Sequence, residues 1–239
     1  QVGNTRAGIA DAHAQAQGLT AHCGKHVASR AKDISLPHPA IPTCGEGGAR
    51  SFVLTTEGGR TFEARTVLLT PGSRRKRLGV PGEQEFEGKG VAYCSICDAP
   101  LFKGKAVAVV GGGNSGLEAV IDLIPYATEI YLIHRGEALK GDPVTQEKVK
   151  VNPKVTFVLN VETLAVLGTT TVEGLKYRDK VSGEERTLPV EGVFVEIGIV
   201  PASDLVKGLV AMNPWGEVLV DHKTQRTSQP GIWAAGDVV

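Results

Sequence analysis

The chain has 239 residues, 41% of them hydrophobic, with 26 Lys+Arg balancing 26 Asp+Glu. That length and apolar content accommodate one large or two modest domains with packed cores, and exclude a chain disordered throughout. Zero net charge gives no long-range pull toward nucleic acid or an anionic membrane, and no apolar run approaches the roughly 20 residues that span a bilayer. The opening Gln1-Val2-Gly3-Asn4 carries no initiator Met and no signal-peptide pattern, so a cytoplasmic and trimmed chain is expected.

Residues 5–18 are rich in Ala and Gln and close on Gly18, the pattern of a short helix with a glycine stop. A strand is expected near 25–31, and the Pro and Gly content of 37–48 marks a loop. Residues 51–56 alternate weakly, Glu57-Gly58-Gly59 turns the chain, and 61–64 returns as the second arm of a hairpin. Residues 66–70 form a short apolar strand ending at Pro71-Gly72-Ser73. The basic run Arg74-Arg75-Lys76-Arg77 reads equally as a solvated loop or a contact surface, and the polar, Gly-rich stretch 81–90 reads as a linker. Beyond it the expected elements are a strand at 106–110, a helix from Asn114 to about Tyr126, a strand at 129–133, a helix at 144–151 stopped by Pro153, and a strand at 155–159. A second hairpin (174–180 with 186–189), an apolar strand at 192–197 and short strands at 218–221 and 232–235 complete the chain. Two hairpin-plus-strand units, 51–72 and 174–201, line up. Only the second is preceded by a strand–glycine–helix unit, so the chain reads as one whole nucleotide domain and part of another.

Two chemical devices stand side by side between Gly90 and Gly116. The first is the pair Cys94 and Cys97, followed at once by Asp98. In a cytosolic protein C-x-x-C spacing points to redox or metal chemistry rather than to a structural bridge. Zinc would need two more ligands; Cys23, Cys44, His22 and His26 are available, but there is no second C-x-x-C, and redox chemistry is favoured over a metal site. Thiolate is the nucleophile in disulfide exchange, and a helix start lowers a thiol pKa. Asp98 is placed either to move the proton or to cap a helix.

The second device is the apolar run 106–110 ending in Gly111-x-Gly113-x-x-Gly116, with Asn114 and Ser115 inside the turn. Such a turn between strand and helix cradles a pyrophosphate: the first glycine makes the bend, the second admits the phosphates, and the third packs helix on strand. About 20 residues on, an acid at the end of the next strand would hold the ribose of NAD. His134-Arg135 stand there instead, and a cation suits a 2′-phosphate, so NADPH is favoured. A redox pair beside a dinucleotide turn suggests electrons moving between a nicotinamide and a disulfide.

Seven stretches carry a resemblance to a known family: L-G-V-P-G-E at 78–83, Y-C-S-I-C-D at 93–98, P-L-F-K-G-K at 100–105, V-V-G-G-G-N-S-G-L-E-A at 109–119, Y-R-D-K-V-S-G-E at 177–184, E-I-G-I-V-P at 196–201 and T-S-Q-P-G-I-W-A-A-G-D at 227–237. In this order the chain, from about Phe52 onward, resembles the low-molecular-weight thioredoxin reductases, including the flavoprotein reductase of alkyl hydroperoxide systems. The resemblance implies an α/β architecture of two Rossmann-like, three-layer nucleotide-binding modules of the pyridine nucleotide-disulfide oxidoreductase type. It implies that NADPH reduces FAD, FAD reduces the Cys94–Cys97 disulfide, and the dithiol reduces thioredoxin or a similar small redox protein. A component of a peroxiredoxin system is the close second, and the parent protein is expected to be a homodimer. Cys97 would face the flavin, Cys94 would attack the partner, and Asp98 would give and take the proton. Glu118 would lie near the nicotinamide, Gly198 would fall in the dinucleotide site, and Gly236 and Asp237 would lie near the flavin's ribityl chain and pyrophosphate.

The sequence also departs from that family. Where the thioredoxin-reductase pattern has a second Arg and a third one a few residues on, this chain has Gly136 and Lys140, which relaxes the expected preference for NADPH. The family's N-terminal Gly-rich FAD motif is not found, and three residues follow Gly236. The expected layout is therefore a partial FAD domain at 1–91, an NADP(H) domain at 92–212 and a returning FAD segment at 213–239, truncated at both ends. The alternative is a flavin-free NADP(H)-binding fragment without reductase turnover.

Overall fold

The computed structural model describes residues 52–239 apart from Glu57, together with the backbone of Leu19–Thr20 and Ala31–Ser35. The helix expected at 5–18 and the loop at 37–48 lie outside the described residues. Of the strand expected at 25–31 only Ala31 is described, and it opens the strand Ala31–Ser35. The chain divides into two compact units, Arg75–Ile199 and a second formed by residues up to Arg74 together with Val200–Val239.

The unit Arg75–Ile199 is built on a parallel sheet whose strands run, edge to edge, Val155–Val158, Glu129–Ile133, Ala106–Val110, Gly192–Val195 and Val91–Ala92. The run Ala-Val-Ala-Val-Val is apolar throughout because both of its faces are covered. Side chains alternate across a strand, so Val107 and Val109 enter one core and Ala108 and Val110 the other. The first core is closed by helix Asn114–Leu123, which contributes Leu117, Val120 and Leu123. The second is closed by an antiparallel sheet of Val161–Gly168, Val172–Asp179 and Glu185–Leu188, through Val161, Val166, Val172, Leu175 and Tyr177. Helix, parallel sheet and antiparallel sheet make the three layers of a Rossmann-like module.

The expected two-stranded hairpin thus has a third strand, Val161–Gly168. Its pairing slips between Thr163 and Ala165, and that bulge breaks the period-2 pattern by which a strand is read from sequence. The stretch 81–90 is no linker. Leu78 and Gly79 donate their N–H groups to the buried Glu83 carboxylate (2.8 and 2.7 Å), Phe86 enters the second core, and Val166 N–H donates to the Pro81 carbonyl (2.9 Å). The stretch is therefore part of the unit Arg75–Ile199. Beyond Ile199, Val206, Val210 and Met212 pack in the core of the second unit.

In that second unit Phe52–Thr56 and Thr61–Ala64 form the expected hairpin, with Ala31–Ser35 on its far edge. Val67–Leu69 runs parallel to Ile232–Ala234, and Arg226–Thr227, Val220–Asp221 and Leu19–Thr20 extend that sheet with antiparallel pairings. Phe52, Leu54, Val67, Leu69 and Ile232 form its core. The helical turn Asp204–Val206 is the only helix among its described residues.

Candidate active site

In the parallel sheet the chain leaves Ala106–Val110 toward one edge, and later returns on the other side of the same strand as Gly192–Val195. That reversal of strand order opens a crevice at the carboxyl ends of the two strands. A cleft of about 700 Å³ lies there, lined by Gly111–Gly113, Asn114, Ser115, His134, Arg135, Lys140 and Glu196–Gly198 among others.

The three glycines have three different surroundings. Gly111 has φ +141°, and a Cβ on it would collide with the Glu196 carbonyl oxygen. A Cβ on Gly116 would collide with the Gly111 carbonyl oxygen, so helix and strand touch backbone to backbone. A Cβ on Gly113 would meet nothing within 4 Å. Gly113 is also the N-cap of helix Asn114–Leu123 and offers no side chain to the first-turn N–H groups. Those donors are available to an anion.

Beyond the turn, the Gly112 carbonyl accepts from Lys140 N–H (2.7 Å) and Gly141 N–H (3.2 Å), and Asn114 Oδ1 accepts from Asp142 N–H (2.7 Å). These bonds hold the loop after Arg135 against the cradle. His134 is buried, and its Nε2 has no hydrogen-bond partner in the structure. Burial, helped by Lys140, Arg135 and Lys180, lowers its pKa despite a hydrogen bond that the ring donates to the Ala138 backbone. The imidazole is therefore neutral, and the positive charge at this end belongs to Arg135, Lys140 and Lys180 rather than to His134.

At the other end of the cleft stand Glu196, Ile197 and Gly198, the last with φ +99° and open space at its Cβ position. The Glu196 side chain is 4% exposed and accepts from Arg75 Nη1 at 3.2 Å. Burial pushes its carboxyl above the ordinary range; Arg75 opposes this, and Asp122 and Glu118 add to it. Glu118 itself lies on an exposed face of the glycine helix. Sequence reasoning gave no role to Glu196 or Lys180: each lies in a stretch that carries the resemblance, but only the fold brings them to the cleft.

The dithiol follows the edge strand Val91–Ala92 of the same sheet. Cys94 and Cys97 form a disulfide, with Cα atoms 5.4 Å apart. Cys94 caps the short helix Ser95–Asp98, its Sγ accepting from Cys97 N–H at 3.3 Å. Cys97 is exposed and Cys94 half-buried. Ser95, between them, is buried and donates to Asp122 Oδ2 on the glycine helix at 2.7 Å. On the preceding residue, Tyr93 OH donates to Glu83 (3.0 Å) and accepts from Arg77 (2.9 Å). Arg77 also makes a two-pronged ion pair with Glu87 (2.7 and 3.0 Å). Arg75 and Arg77 of the basic run are thus contact residues. Asp98 is half-buried, and its side chain caps nothing in the turn it opens. Gly236 and Asp237 lie in the other unit, where Asp237 Oδ2 accepts from Ser73 Oγ at 3.0 Å and Gly236 has φ +85° with an open Cβ position.

The sequence matches the pyridine nucleotide-disulphide oxidoreductase family over residues 8–239. The chain belongs to that family. It is 46% identical over 200 residues to an alkyl hydroperoxide reductase subunit of Pseudomonas putida, covering 83% of this chain and 38% of that protein. It is 43% identical over 192 residues to the bifunctional thioredoxin reductase/thioredoxin of Mycobacterium leprae, covering 80% and 42% respectively. Among solved structures, thioredoxin reductase of T. acidophilum superposes with a TM-score of 0.70 at 35% identity, covering 86% of this chain and 66% of that one. The chain thus spans about two-fifths of the length of these two curated relatives. The oxidoreductase family and the fold expected from the sequence stand. No helix among the described residues is long and apolar enough to cross a membrane.

Proposed function

We propose that this chain is the NADPH-binding, dithiol-bearing part of a cytoplasmic, homodimeric disulfide reductase. In the whole protein, reducing equivalents from NADPH reach the Cys94–Cys97 disulfide by way of FAD, and the dithiol passes them to thioredoxin or a similar small redox protein. A peroxiredoxin-system protein is the alternative partner. The observation that carries this reading is the Ser95–Asp122 hydrogen bond. It ties the redox helix to the helix whose uncapped start forms the dinucleotide cradle.

The residues present fit NADP(H). An open Gly113, free first-turn N–H groups and a cationic rim on one side of the crevice suit a pyrophosphate and a phosphorylated ribose. Bound there, the nucleotide supplies a hydride. The described residues do not fit FAD in the same way. Gly236 and Asp237 could touch it, but no glycine turn followed by a helix is present among the described residues of that unit to take its pyrophosphate. The second reading is a nucleotide-binding portion without flavin; flavin absorbance of the purified chain distinguishes the two.

In the dithiol state the chemistry of this chain is thiol–disulfide exchange. The Cys94 thiolate, facing the Cys97 N–H at the helix start, attacks one sulfur of a partner disulfide; that S–S bond breaks and a mixed disulfide forms. The Cys97 thiolate then attacks Cys94, restores the internal disulfide and releases the partner as a dithiol, two electrons having passed. Asp98 is the proton donor and acceptor in this reading. Exposure favours Cys97 as the sulfur a partner reaches, whereas the helix-cap contact favours Cys94 as the thiolate. Incubating Cys97→Ser and Cys94→Ser with an oxidised thioredoxin, and weighing the products by mass spectrometry, decides the roles. Accumulation of the mixed disulfide in Cys97→Ser alone is expected. Trapping only in Cys94→Ser reverses the assignment, and trapping in neither removes the redox role.

A further inference from the structure

The cleft carries an imbalance of charge that nothing in its walls offsets. Its lining includes four cations, Lys76, Arg135, Lys140 and Lys180, and two acids, Glu162 and Glu196. Both acids are already engaged, Glu162 by Arg178 and Glu196 by Arg75, each at 3.2 Å. Among the described residues none of the four cations forms an ion pair. Lys76 belongs to the Glu196 end, since its backbone N–H donates to the Gly198 carbonyl. The other three gather at the His134 end, where all three act on the buried imidazole. Like charges brought together in a chain of zero net charge favour an anion between them.

Lys180 comes to this cluster from a different layer. It sits in the turn after Val172–Asp179 of the antiparallel sheet, and its backbone N–H donates to the Asn160 carbonyl at 3.1 Å. Asn160, at φ +57°, donates its own N–H to the Gly136 carbonyl at 2.9 Å. Lys180 Nζ donates to the Arg135 carbonyl at 2.7 Å. One of the three ammonium donors is thus spent on fixing the Arg135–Gly136 turn, and two remain for a ligand. Gly136 is the position where the sequence lacks an expected arginine, and Lys180 brings a charge to the same turn from 44 residues further along the chain.

We infer that Lys180 is a nucleotide-selecting residue: with Arg135 and Lys140 it forms a receptor for the phosphate monoester on the adenosine ribose, the 2′-phosphate that separates NADPH from NADH. The inference rests on the dinucleotide reading above and adds a residue that neither the glycine motif nor the family pattern assigns. It explains how a chain with Gly136 in place of an arginine keeps a cationic site.

The test is calorimetric titration of the full chain with NADPH, NADH, 2′,5′-ADP and 5′-AMP, before and after Lys180→Gln. Glutamine removes the charge and keeps a shorter-reaching donor, and Lys180→Arg keeps both charge and reach. Affinity for NADPH and 2′,5′-ADP is expected to fall about tenfold, as for loss of one charge-assisted phosphate contact. Affinity for NADH and 5′-AMP should change less than about twofold, and Lys180→Arg should restore the difference. Equal losses for phosphorylated and unphosphorylated nucleotides would show that Lys180 only holds the turn, and no loss would remove it from the site; either result overturns the inference while leaving the dinucleotide reading intact. Failure of the unmodified chain to bind any of the four overturns both.

Discussion

Glu196 is a carboxylate in a place where burial and charge pull in opposite directions. Its side chain is 4% exposed, and Arg75 pairs with it at 3.2 Å. Burial outweighs Arg75, so the folded-state pKa stands above that of the unfolded chain, about 4.3. The folded state therefore holds a proton that the unfolded chain has already lost. The stabilisation from that proton is complete below about pH 4 and disappears as pH rises through the folded value, leaving a buried charge as a cost at neutral pH. Glu196→Gln removes that charge and is accordingly expected to gain stability relative to its parent as pH rises from 4 to 8. Thermal or urea unfolding across that pH range measures it. A variant that instead loses stability relative to its parent over that range would mean that the Arg75 pair outweighs burial. The sequence shows a Glu at 196 but not its burial, which arises where Gly192–Val195 meets the Gly111 turn.

The strand–glycine–helix element separates folding from binding at adjacent positions. A Cβ at 116 runs into the Gly111 carbonyl, whereas one at 113 enters open space. Gly116→Ala should cost about 1–3 kcal/mol of stability, as overpacking does against a backbone that cannot retreat. Gly113→Ala should cost under about 1 kcal/mol, the penalty of an unfavourable N-cap residue, yet lower NADPH affinity about tenfold by filling the approach to the phosphates. Denaturant melts and NADPH titrations of the two variants check both halves; loss of affinity without loss of stability at 116, or the reverse at 113, would contradict the assignment. This element was legible because its chemistry is local: six consecutive residues carry the turn, the approach and the packing. The strand Val161–Gly168 was not legible, because the bulge at Thr163–Ala165 breaks its alternation. The stretch 81–90 misled for another reason. Its polar composition suits a linker, but Glu83 turns inward to collect two backbone N–H groups and Phe86 fills the core.

At the scale of the whole molecule, the unit Arg75–Ile199 has its own two cores, its own sheet and both chemical devices. A fragment covering those residues is expected to unfold in one cooperative step, to bind NADPH and to form the Cys94–Cys97 disulfide. A fragment cut at 92–212 should be much less stable, since it loses Val91 and Phe86 from one core and carries Val206, Val210 and Met212 without theirs. Circular dichroism melts and hydrodynamic size of the two fragments test this; equal stability would favour the boundary at 91/92. The sequence by itself determined the family, the parallel-sheet module, the glycine turn and the paired cysteines, because each is written in short stretches whose spacing has direct physical meaning. Only the tertiary structure decided the unit boundaries, the neutral state of His134, the burial of Glu196, the link from Ser95 to Asp122 and the presence of Lys180 at the cleft. Each of these depends on residues distant in the chain meeting at strand ends, where burial and neighbouring charge, rather than residue type, set what a side chain does.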